Sequence, residues 1–225
     1  MNKILVNYEK IINQIDLYKS NISSKYSPPN LIAVSKTFPV EVIQILLDHG
    51  HTIFGENKVQ EAQQKWTSLK LREKEKNIEL HLIGPLQSNK VNAALEIFDV
   101  IQTLDREKIA IRINNFLEKN ENSSSKKFMI QVNVGDEDQK SGIHKKSVVE
   151  FVDWCQNDMK INIIGLMCIP PISQNSRQYF QELRSLCDRC NLEHASMGMS
   201  SDFEQALKEG STYLRVGTGI FGSRS

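Results

Sequence analysis

Eight short runs rich in β-branched, aromatic and other apolar residues recur along the chain, each separated from the next by a segment of helical periodicity. They are LIAVSK (31 to 36), HTIFGE (51 to 56), IELHLIG (78 to 84), DVIQTLD (99 to 105), KFMIQVNV (127 to 134), NIIGLMC (162 to 168), HASMGM (194 to 199) and TYLRVGT (212 to 218). The intervening helices are predicted over 39 to 49, 58 to 70, 88 to 97, 106 to 121, 147 to 158, 174 to 190 and 202 to 209, with a further helix over 2 to 20. Strands that alternate with helices pair in parallel through right-handed crossovers, and eight such units close into a barrel. The predicted fold class is therefore α/β, a single-domain (β/α)8 TIM barrel. Residues 1 to 30 form an N-terminal helix and linker, and 31 to 225 form the barrel. A doubly wound open sheet is the alternative, but neither a G-x-G-x-x-G nor a G-x-x-x-x-G-K-[ST] follows any of the runs.

Composition agrees with one globular domain, since 225 residues with 40% hydrophobic side chains fill a sizeable core. Lysine plus arginine (28) nearly balance aspartate plus glutamate (27), which excludes a broad field for nucleic acid or an anionic membrane surface. The polar stretches Ser20 to Asn30 and Lys119 to Lys127 are expected to be surface loops. The start MNKILVNYEK is too polar for an export leader, and no run is long enough to span a bilayer, so the cytoplasm is the expected compartment. Of the four cysteines, Cys187 and Cys190 form a C-x-x-C, but late in an amphipathic helical pattern and without a second ligand pair. A structural role is expected there, not metal or redox chemistry.

In a parallel barrel, chemistry sits at the carboxyl ends of the strands. Lys36 closes the first run, and alternation places Ile32, Val34 and Lys36 on one face. An amine among apolar neighbours has its charged form desolvated and its pKa lowered, which makes it a usable nucleophile for an aldehyde. The competing reading is a solvated lysine in a strand-to-helix loop. The seventh run ends GMSSD and the eighth runs RVGTG into IFG. Small residues at those two ends are the usual phosphate seat of such barrels, with Ser200, Gly217 and Thr218 as the contacts. The competing readings are a plain turn for GTG and a helix N-cap by Ser200, Ser201 or Asp202. Arg215, two residues before Gly217, faces the interior and needs an acceptor, either a cofactor ring nitrogen or a carboxylate such as Glu56 or Asp105. An arginine beside a ring nitrogen would keep that nitrogen unprotonated and weaken the electron sink. His81 is expected to be an interior histidine with no carboxylate placed to make it a base.

Seven motifs in order, AVSKT, FGENKVQEA, HLIGPLQSNK, DEDQKSGIH, GLMCIPP, GMSSDFEQAL and LRVGTGIFG, resemble those of the pyridoxal phosphate (PLP) homeostasis protein family and cover residues 31 to 224. The family barrel is similar to the N-terminal domain of alanine racemase, PLP fold type III. The resemblance implies PLP held as a Schiff base on Lys36, ring contacts from Asn57, Met167 and Arg215, and phosphate contacts from Ser200, Gly217 and Thr218. It also implies intracellular PLP homeostasis by a monomer, with apo PLP-dependent enzymes as possible recipients and no metal. Two positions depart from the pattern. Lys58 stands where an aromatic is frequent, which puts a stacking contact in doubt, and Ser201 where aspartate is common.

A racemase or decarboxylase of the same fold type is the rival. A two-base racemase takes its second acid/base, a tyrosine, from a further β-rich domain, and the sequence supplies neither that domain nor a tyrosine (8, 18, 26, 179, 213) with a claim to the position. An isomerase of phosphorylated sugars would need paired acid/base residues, for which Glu56 and Asp105 are the candidates. A binding and supply protein, not an enzyme, is the expectation. The loop GDEDQKSGIH adds one feature. Gly135 and Gly142 would let it bend over the opening, and Lys140 would then relay PLP from Lys36, unless it pairs with Asp136, Glu137 or Asp138.

Overall fold

The computed structural model describes residues 2–21, 25–120, 125–137, 139–171 and 176–222. After helix α1 (Lys3–Asn21), strand β1 (Asn30–Val34) leads into α2 (Val40–Asp48), and β2 (Ile53–Glu56) into α3 (Val59–Arg72). Then come β3 (Glu79–Leu82), α4 (Val91–Ile97), β4 (Val100–Leu104), α5 (Glu107–Leu117) and β5 (Lys127–Asn133). A two-residue strand β6 (Ile143–His144) precedes α6 (Val148–Asn157), followed by β7 (Ile163–Cys168), α7 (Arg177–Arg189), β8 (His194–Met199), α8 (Phe203–Lys208), β9 (Tyr213–Val216) and α9 (Thr218–Phe221).

The strands run in the order β4-β3-β2-β1-β9-β8-β7-β5, and β4 pairs with β5 to close the ring, with β6 added beside β5. Every pairing is parallel. The eight predicted runs are the eight staves of this barrel. β6 escapes the pattern because two residues carry no periodicity. Residues 217 and 218, placed in the last strand by the sequence, instead open α9, since Gly217 leaves the extended conformation at φ −112° and ψ −77°.

Parallel strands covered on both sides need apolar residues on both faces. Leu31 and Ala33 of β1 join the large core between barrel and helices, while Ile32 and Val34 point inward with Ile83, Met129, Met167 and Tyr213. α9 has only four residues and cannot cover the barrel flank. α1 covers it in part: Ile11 and Ile15 are buried, and Asn7 Nδ2 donates to the Ile220 carbonyl of α9 at 3.1 Å. No described helix is long and apolar enough to cross a membrane. Cys187 and Cys190 form no disulfide, and burial pushes the Cys187 thiol up to about 12. Among the described residues no cluster of histidine, cysteine and carboxylate is placed to hold a metal.

Candidate functional site

The carboxyl ends of β1, β2, β3, β7, β8 and β9 surround a cavity of about 290 Å3. Lys36, Asn57, Ser200, Arg215, Gly217 and Thr218 all line it, so six of the seven predicted contacts meet in one place. Met167 does not line it. It is fully buried in the inner cluster with Val34 and Ile83, two residues that do form the wall. Phe38, Ile169, Met199 and Ser201 complete the lining. A larger surface groove of about 660 Å3 lies along α5, with none of the predicted residues.

The loop that carries Lys36 is held in an uncommon shape. Thr37 has φ 68°, a left-handed conformation that costs a β-branched residue roughly 1–3 kcal/mol unless its surroundings enforce it. They do so from α3. The Thr37 N–H donates to Glu61 Oε1, and Lys65 Nζ donates to the carbonyls of Ser35 (3.0 Å) and Phe38 (3.3 Å). Lys65 is balanced by two carboxylates, Glu56 at 2.8 Å and Glu61 at 2.9 Å. Glu56 Oε1 also accepts from the Ser35 hydroxyl at 2.7 Å and from Trp66 Nε1 at 3.0 Å, which leaves Oε2 buried without a partner. Burial pushes the Glu56 carboxyl up, against the pull of Lys65. Glu56 therefore belongs to the scaffold behind Lys36. Neither it nor Asp105, which pairs with Arg106, lines the cavity or reaches Arg215.

Beside the Lys36 loop, the loops that leave β8 and β9 meet. Ser200 Oγ accepts from the Gly219 N–H at 3.1 Å and so ties the end of β8 to the start of α9. Asp202 occupies the N-cap position of α8 without a forward capping bond; its carboxylate accepts from the Met199 N–H at 2.7 Å instead. A side chain at Gly217 would press on Val34, with its Cβ 3.3 Å from the Val34 carbonyl and Cβ, so the glycine lets β9 end against β1.

Arg215 is buried, and its guanidinium donates to Ser196 Oγ and to the Cys168 carbonyl, both at 2.7 Å. The proposed ion pair with Glu56 or Asp105 is not formed. Burial lowers the Arg215 pKa, yet a guanidinium stays cationic in proteins. Burial likewise pushes the neighbouring Cys168 thiol up to about 12 and keeps it neutral. Asn57 Oδ1 is buried without a hydrogen-bond partner, an orphaned acceptor on a cavity-lining residue. None of the five tyrosines lines the cavity.

One expectation needs correction. His81 does have a carboxylate: Glu79, two residues earlier on the same strand face, lies 2.8 Å from His81 Nε2. The described residues of the loop after β5 are tied to one another and to β5. Asn133 Nδ2 donates to the Glu137 carbonyl at 2.8 Å, Gln131 Nε2 donates to the Ser141 carbonyl at 3.2 Å, and none of the loop's described residues lines the cavity. Lys140 Nζ pairs with Glu137 Oε1 at 2.7 Å, while Asp138 lies outside the described residues.

The sequence profile of the alanine racemase N-terminal domain family matches residues 6–225. The pyridoxal phosphate homeostasis protein of Aquifex aeolicus (strain VF5) is 38% identical over 203 residues, spanning 86% of this chain and 86% of that protein. That of Pasteurella multocida (strain Pm70) is 39% identical over 208 residues, spanning 88% of each. Among solved structures, PipY of Synechococcus elongatus PCC7942 with PLP bound superposes with a TM-score of 0.77 at 31% identity, over 93% of this chain and 99% of that one.

Proposed function

Because the chain belongs to the pyridoxal phosphate homeostasis proteins, within the alanine racemase N-terminal domain family, we propose that it binds PLP in the 290 Å3 cavity and serves its supply. The observation that carries this reading is the meeting of Lys36 and Arg215 in one cavity with Ser200, Gly217 and Thr218. The volume lies at the low end of small-ligand sites, roughly 300–1,000 Å3. The donor set fits as well. An amine for an aldehyde, a fixed cation for a ring nitrogen, hydroxyls for a phosphate and the orphaned acceptor of Asn57 match the functional groups of PLP.

When bound, PLP supplies an aldehyde for reversible covalent attachment to an amine and an electron-poor ring. The chain's own residues set how far that chemistry goes. Lys36 is the point of attachment, fixed by the loop that Lys65 and Glu61 hold. Arg215 is a permanent donor, so it offers a ring nitrogen a hydrogen bond and no proton. That suits holding and release better than reactions that need a protonated ring. Val34, Phe38, Ile83 and Ile169 restrict water on the apolar side. Acceptors are apo PLP-dependent enzymes, reached from the mouth. Lys140 would take part in release only once its pair with Glu137 opens.

The test is visible absorbance of the purified protein with added PLP, borohydride reduction and peptide mapping. Label on Lys36, and its loss in Lys36→Ala, is the expected result. Equal label on another lysine in that variant would sink the assignment.

A further inference from the structure

Resting on the reading of the cavity as a PLP site, we infer that Gln102 and His81 are positioning residues for Arg215. They act through a one-way chain of hydrogen bonds that crosses the barrel interior from the cavity to the opposite end. Arg215 reaches Ser196 Oγ at 2.7 Å, Ser196 Oγ reaches Gln102 Oε1 at 2.6 Å, and Gln102 Nε2 reaches His81 Nδ1 at 2.8 Å. His81 Nε2 reaches Glu79 Oε1 at 2.8 Å, and Glu79 Oε2 accepts from Lys127 Nζ at 3.0 Å. Glu79 opens β3 and Lys127 opens β5, so the lower end of the chain lies at the amino ends of the strands. Ser196, Gln102 and His81 are fully buried.

The direction follows from the two ends. A guanidinium only donates, and an ionised carboxylate only accepts. With a neutral His81 ring, Nε2 must carry the proton toward Glu79, which makes Nδ1 the acceptor. Gln102 must then turn its NH2 to Nδ1 and its carbonyl to Ser196. The Ser196 proton is thereby committed to Gln102, and the Ser196 oxygen can only accept from Arg215. Reversing the Gln102 amide would set a donor against Ser196 and an oxygen against the Nδ1 lone pair. In a buried strand set, neither group has water to turn to. The guanidinium direction at the cavity is thus fixed by residues that line no part of it.

The first readouts need no PLP. Nitrogen NMR of the PLP-free protein is expected to find the His81 proton on Nε2 and none on Nδ1; a proton on Nδ1 overturns the chain. Solvent exchange of the Arg215 side-chain N–H groups is expected to quicken roughly tenfold in Gln102→Leu, the worth of one ordered hydrogen bond. With PLP added, Gln102→Leu and His81→Gln are expected to shift the visible band and release PLP roughly fivefold to tenfold faster. His81→Asn puts an amide oxygen where Nδ1 stood and is expected to keep wild-type values, although it removes more of the side chain than His81→Gln does. Identical behaviour of the two His81 variants, or a Gln102→Leu protein indistinguishable from wild type, would overturn the positioning role. If Gln102→Leu does not fold, the His81 pair and the wild-type proton position decide. A wild-type protein that takes up no PLP defeats the cofactor reading, and the PLP-free measurements then decide the chain by themselves.

Discussion

The ammonium group of Lys65 lies 3.0 Å from the carbonyl oxygen of Ser35, the residue immediately before Lys36. Lys65 thus acts on the loop that carries Lys36 from a helix that begins more than twenty residues later. Lys65→Met removes the donor to two loop carbonyls and leaves Glu56 without its cation. A loss of about 3 kcal/mol in urea unfolding is expected, as for other broken buried pairs. Thr37 loses part of its enforcement at the same time, so borohydride labelling of Lys36 at limiting PLP should fall. Unchanged stability and labelling would mean that the loop holds its shape by itself.

Arg215→Ala removes the one cationic side chain besides Lys36 among the described residues that line the cavity. PLP should then dissociate roughly tenfold to a hundredfold more readily, the range for one hydrogen bond to a charged group, and the visible band should shift. Arg215→Lys restores charge without the fork that reaches both Ser196 and Cys168, and should recover only part of the affinity. Equilibrium dialysis and absorbance measure both.

Acid should destabilise the fold in a defined window through His51. The ring is buried, Nε2 lies 2.7 Å from the Ile53 carbonyl and Nδ1 3.3 Å from the Tyr8 hydroxyl; burial lowers its pKa from 6.5 to about 4. The unfolded chain therefore takes up a proton first. Stability held above pH 6.5 declines as the pH falls toward 4, by about 3 kcal/mol at about 1.4 kcal/mol per unit. Glu79, held near 2 chiefly by its hydrogen bond to His81, adds a separate loss as the pH falls from 4.5 toward 2. The gap between unfolding free energies at pH 6.5 and 4.5 should narrow in His51→Gln if this assignment holds, leaving the part that belongs to His194, whose pKa burial also lowers.

Gly142 has φ 126°, and a Cβ there would lie 2.6 Å from the Asn133 nitrogen. Gly142→Ala should cost about 1–3 kcal/mol through backbone strain and disturb the pairing of β6 with β5. PLP binding should be nearly unchanged, because none of the loop's described residues lines the cavity. A large loss of PLP affinity would show that the loop reaches the site after all.

Strand and helix alternation made the barrel legible, since each stave is long enough to show its pattern and each carboxyl end marks a place for chemistry. Lys36 and Arg215 could be located at the carboxyl ends of their strands for that reason, whereas their roles rested on the family resemblance. Lys65 could not be, because its partners Ser35 and Phe38 lie on a separate unit and only the closed barrel brings them together. Glu79 was within reach: two residues from His81, it shares a strand face, and alternation applied there would have found the pair. Gln102 and Ser196 also left a trace, as polar residues on the buried faces of apolar runs, but what they bond to depends on strands β4 and β8 facing one another across the interior.

Beneath the cavity the barrel is filled with side chains, since Ile32, Met129 and Met167 are each 0% exposed. The site is therefore a cup and not a tunnel. A ligand leaves by the way it came, and a second one cannot push it out from behind. Entry and exit of a ligand therefore share a single rim. Surface residues around the opening would then govern how fast a ligand enters and leaves without touching it once bound, while changes at the amino ends of the strands would alter how firmly it is held.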